Sequence, residues 1–183
     1  MSNRRMMVDI ETLGSSEDAL VLSIGAVIFN AEEVLHDFYV NVDPYTQSDR
    51  KIETSNVMWW LQQSDEARGV LFDKETHPSQ ALIIALAILE DFYDEHKPQE
   101  VWANPPTFDL SIIRHAWMTK YEGKDVNFIW PWKQQMCFRT AMRLAPIHIK
   151  REKGPGAHNA LEDARRQAQL LIDSEIFLVK GKK

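Results

Sequence analysis

The sequence predicts a mixed α/β sheet flanked by helices, and three observations point to it. Three strand-like segments come first, joined by short links. Long helical patterns follow them. A single short strand, EVWAN (100–104), lies between two of those helices. The 183 residues, 44% of them hydrophobic, are enough for one domain with a proper core and few for two.

The elements follow in order. RMMVDI (5–10) is a compact apolar run. LVLSIGAVIF (20–29) is rich in β-branched residues and lies between the polar loop SSEDA and the turn NAEE. HDFYVNV (36–42) alternates with period two. The short links predict an antiparallel meander at one side of the sheet. Thr54, Ser55 and Asn56 offer N-caps for a helix over VMWWLQQSDEARGVLF (57–72). HPSQALIIALAILEDFYDEHK (77–97) is the strongest helical pattern and stops before Pro98. After EVWAN and the loop PPTF, a helix starts near Asp109 and runs through SIIRHAWMTKY. Another is expected over QQMCFRTAMRLA (134–145). The last begins at Asn159, in HNALEDARRQAQLLI, and reaches the mid-170s. The domain core is expected over about 5–177, with VKGKK in a solvated tail at 178–183.

Composition narrows the function classes. The longest apolar run, Ala81 to Leu89, is roughly half of what a bilayer span needs, so no membrane association is expected. MSNRRMMVDIE reaches acidic residues too early for a secretory signal. One cysteine, Cys137, excludes an internal disulfide framework and suits a reducing cytoplasm. The net charge of −6 argues against a broad nucleic-acid-coating surface. Charge is uneven, however: Arg139, Arg143, Lys150, Arg151, Lys153, Arg165 and Arg166 face only Glu152, Glu162 and Asp163 over the same stretch.

Three short stretches carry chemistry. In MMVDIETLGS, Asp9 and Glu11 are two apart, so a strand projects both from one face, where they repel if both are ionised. Either the strand end is wet, or a cation supplies the counter-charge; oxygen-only ligands suit Mg²⁺ or Mn²⁺ rather than zinc. In VWANPPTFDLSIIRHAW, Asp109 opens a helix, and taken alone dipole compensation is the better explanation of it. In KGPGAHNALEDARRQ, Asn159 and Glu162 have capping-box spacing. That leaves His158 on a Gly-Pro-Gly loop and Asp163 at the end of the first turn, free to face one site together.

The ordered set D-x-E, N-x-x-x-F-D, H-x-x-x-x-D resembles the DEDDh exonuclease group of the ribonuclease H-like superfamily. Within it the chain is most similar to small phage and bacterial 3′-5′ exoribonucleases with a paired-tryptophan helix, here Trp59-Trp60. The resemblance runs from Asp9 to about Leu171. It departs from the family in two places. Asn104 and Phe108 are separated by three residues rather than the two common in relatives, with Pro105 and Pro106 among them. Ala103 stands where a histidine often precedes the Asn.

The resemblance implies a ribonuclease H-like sheet and two Mg²⁺ or Mn²⁺ ions working about 3.5–4 Å apart. Asp9, Glu11 and Asp163 would hold one ion, Asp9 and Asp109 the other, and His158 would be the general base. Thr12 and Leu13 resemble the positions that seat the 3′-terminal nucleotide, beside Asn104 and Phe108. Trp59 and Trp60 are about 100° apart on a helix, so one is expected buried and the other near the substrate; packing of both in the core is the alternative. Arg139, Arg165 and Lys153 are candidate phosphate contacts. The implied substrate is a single-stranded RNA or DNA 3′ end, RNA favoured, giving nucleoside 5′-monophosphates. DNA proofreading or trimming is the rival reading, and a non-catalytic nucleic-acid-binding module is a third. Several relatives are dimers, so a homodimer is an open expectation.

Overall fold

The computed structural model describes residues 3–70, 78–122, 127–145, 158–174 and 176–177. Five strands form one sheet: β1 (Arg5–Thr12), β2 (Val21–Phe29), β3 (Val34–Asn41), β4 (Glu100–Ala103) and β5 (Gln135–Cys137), in the order β3-β2-β1-β4-β5. β1, β2 and β3 form the expected antiparallel meander, while β4 and β5 run parallel to β1. β1 is therefore central, the strand at which antiparallel pairing gives way to parallel. Both faces of β1 and β2 are covered, which explains why they read as continuous apolar runs rather than as alternating strands.

Alternation within β1 still sorts its side chains. Met6, Val8 and Ile10 join a core with α3 (Leu82–His96) and α4 (Asp109–Lys120), through Leu86, Leu89, Leu110 and Ile113 among others. Met7 faces the opposite layer, with Val27, Phe29, Phe138 and the Ala164, Ala168 and Leu171 face of α6 (Ala160–Asp173). Asp9 and Glu11 share parity with Met7, so the strand period delivers both carboxylates to the α6 layer.

How closely α6 can lie depends on Gly25, which pairs with Asp9 across the β1–β2 ladder. A Cβ at Gly25 would stand 2.3 Å from both the Ala160 carbonyl carbon and the Leu161 nitrogen. These are backbone atoms, so nothing flexible can give way. The bare glycine lets the first turn of α6 rest directly on the sheet beside Asp9.

Three helical expectations are corrected. The single helix predicted over 57–72 is two: α1 (Thr54–Trp60) and α2 (Asp65–Val70), and its last residues, 71 and 72, lie outside the described residues. Ser64 explains the break, since its Oγ accepts from the Ala67 N–H at 3.3 Å and its carbonyl accepts from Arg68, starting a new helix. Thr54, Ser55 and Asn56 do not cap α1; the cap position is Glu53, whose carboxylate accepts instead from the Ser15 and Ser16 backbone N–H groups. The helix predicted over 134–145 begins only at Phe138, as α5 (Phe138–Leu144). Gln135–Cys137 pair with Val101–Ala103, and that ladder overrides local helical preference. The Gly-Pro-Gly loop, Lys153 and the tail at 178–183 lie outside the described residues.

Gly25→Ala is expected to destabilise the protein by about 2–3 kcal/mol, the upper range for overpacking. It should also displace α6 and disrupt the carboxylate cluster even in molecules that fold. Chemical denaturation together with a divalent-ion titration checks both effects; wild-type stability and ion response would contradict the contact.

Candidate active site

The β1–β4 ladder pairs Arg5 with Glu100, Met6 with Val101 and Met7 with Trp102. β1 continues five residues beyond it, to Thr12. Its C-terminal half therefore borders a cleft on the β4 side, where α/β sheets place their ligand sites. Into this opening comes Asp109, from the first turn of α4. Its Oδ1 accepts from the Ile10 N–H at 3.3 Å, taking a donor that β4 does not reach. Asp109 is 3% exposed, and its Oδ2 is buried without a hydrogen-bond partner among the described residues.

From the other layer comes the start of α6. Asn159 caps it as expected, its side chain accepting from the Leu161 and Glu162 N–H groups at 3.0 and 3.1 Å. His158 lies just before the cap with φ of 72°, in the left-handed region. Its backbone N–H donates to Asp163 Oδ2 at 3.1 Å, closing the five-residue gap between them. Glu11, His158 and Asp163 each place one ligand atom so that all three lie within 4.8 Å of one another. Asp163 Oδ1 pairs with Arg166. Asp9 Oδ1 accepts from Gln167 Nε2 at 2.7 Å.

Burial, reinforced by neighbouring negative charge, raises the proton affinity of Asp9 and Glu11. Asp9 is pushed well above the ordinary range, first by burial, then by Asp109, Glu11 and Asp163. Glu11, 8% exposed, is raised by burial and by Asp163 and Asp109. Burial pushes Asp109 up to about 7. A divalent cation fits this arrangement: most donors are hard oxygens, their mutual repulsion needs positive charge, and Asp109 Oδ2 has no partner among the described residues. Glu11, His158 and Asp163 group their ligand atoms, with Asp9 and Asp109 at the same strand end, as the residues that could hold it.

Beside the carboxylates is a cleft of about 410 Å³ lined by Ile10, Glu11, Thr12, Ser55, Asn56, Trp59, Trp60 and Phe108. The two tryptophans differ in burial, as expected of adjacent residues on one helix. Trp60 is 6% exposed and its indole N–H donates to the Thr12 carbonyl at 2.9 Å, while Trp59 is 41% exposed. Trp59 meets the His158 ring edge-on at a centroid distance of 4.6 Å. Thr12 Oγ1 donates to the Gly14 carbonyl at 2.6 Å. Leu13 is half-buried, and its backbone pairs with Leu20 and Glu53.

Of the other expected contacts, Asn104 is at the site through its backbone N–H, which faces the Asp109 carboxylate, while two arginines are not joined to it. Asn104 Oδ1 is buried without a partner among the described residues. Arg139 is exposed on α5, and no contact among the described residues joins it to the carboxylates. Arg165 is held by Asp37 and Glu162. Sequence reading missed Gln167 and Arg166. Their spacing from Asp163, four and three residues along one helix, was the available signal.

Comparison with known proteins agrees with this architecture. The family model described as the 3′-5′ exoribonuclease Rv2179c-like domain matches residues 4–174. An exodeoxyribonuclease of Enterobacteria phage T4 is 27% identical over 121 residues, spanning 58% of this chain and 52% of that enzyme. Among solved structures, product-bound exonuclease I superposes with a TM-score of 0.60 at 13% identity, covering 95% of this chain and 42% of that one. The nuclease domain of 3′hExo, a DEDDh family member bound to rAMP, gives 0.57 at 10% identity, covering 94% and 91%. This chain thus spans about half the length of the phage enzyme and less than half of exonuclease I. The structural likenesses show the shared ribonuclease H-like fold, and the match over 4–174 shows more: the chain belongs to the 3′-5′ exoribonuclease Rv2179c-like domain family.

Proposed function

We propose that this protein is a divalent-metal-dependent 3′-5′ exonuclease that releases nucleoside 5′-monophosphates from single-stranded nucleic acid, RNA ahead of DNA. The observation that carries the reading is the meeting of Asp9, Glu11, Asp109, Asp163 and His158 at the C-terminal end of β1, beside an aromatic cleft. RNA is favoured by the family's description and by the ribonucleotide bound to 3′hExo. DNA is the second reading, favoured by the phage exodeoxyribonuclease. The single cysteine suits action in a reducing cytoplasm.

In this reading Asp9, Glu11 and Asp163 would hold one Mg²⁺ or Mn²⁺ ion and Asp9 and Asp109 a second, and such ions would supply water activation near neutral pH and charge neutralisation at the leaving oxygen. His158 takes the water proton. The water oxygen bonds to phosphorus, the bond from phosphorus to the 3′-oxygen of the preceding nucleotide breaks, and that oxygen is reprotonated from solvent. The edge of Trp59 against the His158 ring helps to fix the base in place. Thr12 and Leu13 seat the terminal sugar, and Trp59 and Phe108 flank its base, where stacking contributes about 1–3 kcal/mol. Trp60 supports the seat by fixing the Thr12 carbonyl. Asn104, whose backbone N–H faces the Asp109 carboxylate, is assigned to the polar contacts of the terminal nucleotide.

Asp9→Asn and Asp163→Asn should each abolish Mn²⁺-dependent release of mononucleotides with the circular-dichroism spectrum unchanged. Full activity in either would refute the reading. His158→Ala should lower turnover by roughly 10²–10⁴-fold with ion affinity nearly intact, as for loss of a general base. Rates on matched single-stranded RNA and DNA decide the sugar: faster RNA cleavage is expected, and faster DNA cleavage would install the second reading.

Ion binding also predicts a pH dependence. Asp9, Glu11 and Asp109 bind protons more tightly folded than unfolded, where carboxylates titrate near about 4. The folded state therefore holds more protons, and stability falls as pH rises from about 4 through about 7. In chelator, thermal unfolding should occur at a higher temperature near pH 5 than near pH 8. Saturating Mn²⁺ should recover the difference at the higher pH. Equal midpoints in chelator would show that the carboxylates do not repel as described.

A further inference from the structure

Gln167 is 7% exposed on the buried face of α6, one turn after Asp163. It touches Asp9 directly. Nε2 donates to Asp9 Oδ1 at 2.7 Å, whereas Oε1 is buried without a partner among the described residues. The amide orientation follows from chemistry: only the NH₂ end can face an ionised carboxylate. A buried acceptor left unsatisfied costs about 1–3 kcal/mol. Ala164, Ala168 and Leu171 surround this position on the same face, so an apolar side chain would suit the packing at least as well. For folding alone, glutamine is thus a poor choice at this place.

We propose that Gln167 is a positioning residue for the hydrolytic site: its N–H fixes the orientation of the Asp9 carboxylate and thereby sets the affinity for divalent ions. The inference rests on the metal reading above. A neutral donor suits the task, because it holds one oxygen of Asp9 without cancelling the charge that an ion requires. A lysine or arginine here would compete with the ion instead. The same helix carries Asp163, so Gln167 couples the strand carboxylate to the helix carboxylate through one rigid element. Partners that orient ligating groups in this way typically change metal affinity or activity by about 10–100-fold when removed.

The test uses Gln167→Leu and Gln167→Met, which keep the volume and remove the donor. Mn²⁺ affinity is measured by calorimetry, kcat and KM on a single-stranded oligonucleotide at saturating Mn²⁺, and thermal stability in chelator. The expected result is Mn²⁺ binding weakened about tenfold or more and a lowered kcat, with KM within twofold of wild type and stability in chelator maintained or raised. Unchanged Mn²⁺ affinity and kcat in whichever variant folds would overturn the role. So would a loss of stability in chelator with wild-type affinity, which marks Gln167 as structural only. Failure of the underlying reading is separable, since wild-type protein would then bind no Mn²⁺ that Asp9→Asn abolishes.

Discussion

The contact between Gly25 and the first turn of α6 sets the geometry of everything else at this site. With no side chain on Gly25, the helix backbone comes to the sheet at a distance no other residue permits. Asp9 lies opposite Gly25 in the ladder, so the place of closest approach is also the place of the first carboxylate. Asp163 and Gln167 then follow from helical geometry, one turn apart on the face that Ala164 and Ala168 keep narrow. A bulkier sheet surface would separate the strand carboxylates from the helix carboxylate. The site is thus a consequence of one missing methyl group and two periodicities.

That closeness has an electrostatic cost. Three carboxylates with raised proton affinity share the end of one strand, and the fold holds them there by packing on both faces of β1. The fold offsets the repulsion only in part: the Ile10 N–H serves Asp109, Gln167 serves Asp9, and Arg166 pairs with Asp163. Asp109 Oδ2 has no hydrogen-bond partner among the described residues. Strain of this kind at a cleft is what a site pre-organised for a cation should show, because the ion supplies the balance that the protein withholds.

Much of this was legible in the residues themselves. The D-x-E pattern on a strand placed Asp9 and Glu11 on one face, and the Asn159 cap put His158 outside the helix and Asp163 within its first turn. These depend on local geometry, which sequence spacing encodes. The unequal burial of Trp59 and Trp60 was also expected, though spacing could not say which was which; that depended on the Thr12 carbonyl, a tertiary partner 48 residues away. The errors have two causes, one local and one tertiary. Ser64 split a helix by capping a new one, and β4 drew Gln135–Cys137 into a strand. Gln167 and Gly25 escaped notice because an amide in a helix and a glycine in a strand are silent until their neighbours are known.

The basic stretch that stood out in the sequence takes on a different meaning in the fold. Arg165 is spent on Asp37 and Glu162, and Arg166 on Asp163. Arg139 and Arg143 lie on α5, exposed. The arginines of α6 thus brace the helix and its carboxylate rather than forming a stripe for phosphates. With a net charge of −6, long-range attraction for a polyanion is weak. Under the proposed reading, grip on the substrate therefore comes from its last nucleotide, through stacking against Trp59 and Phe108 and through ions held by the carboxylates. Such a grip depends on a chain end. A strand without a free terminus offers no unstacked final base to enter the cleft and no scissile phosphate at the right distance from it, so the arrangement itself favours exonucleolytic over internal cleavage.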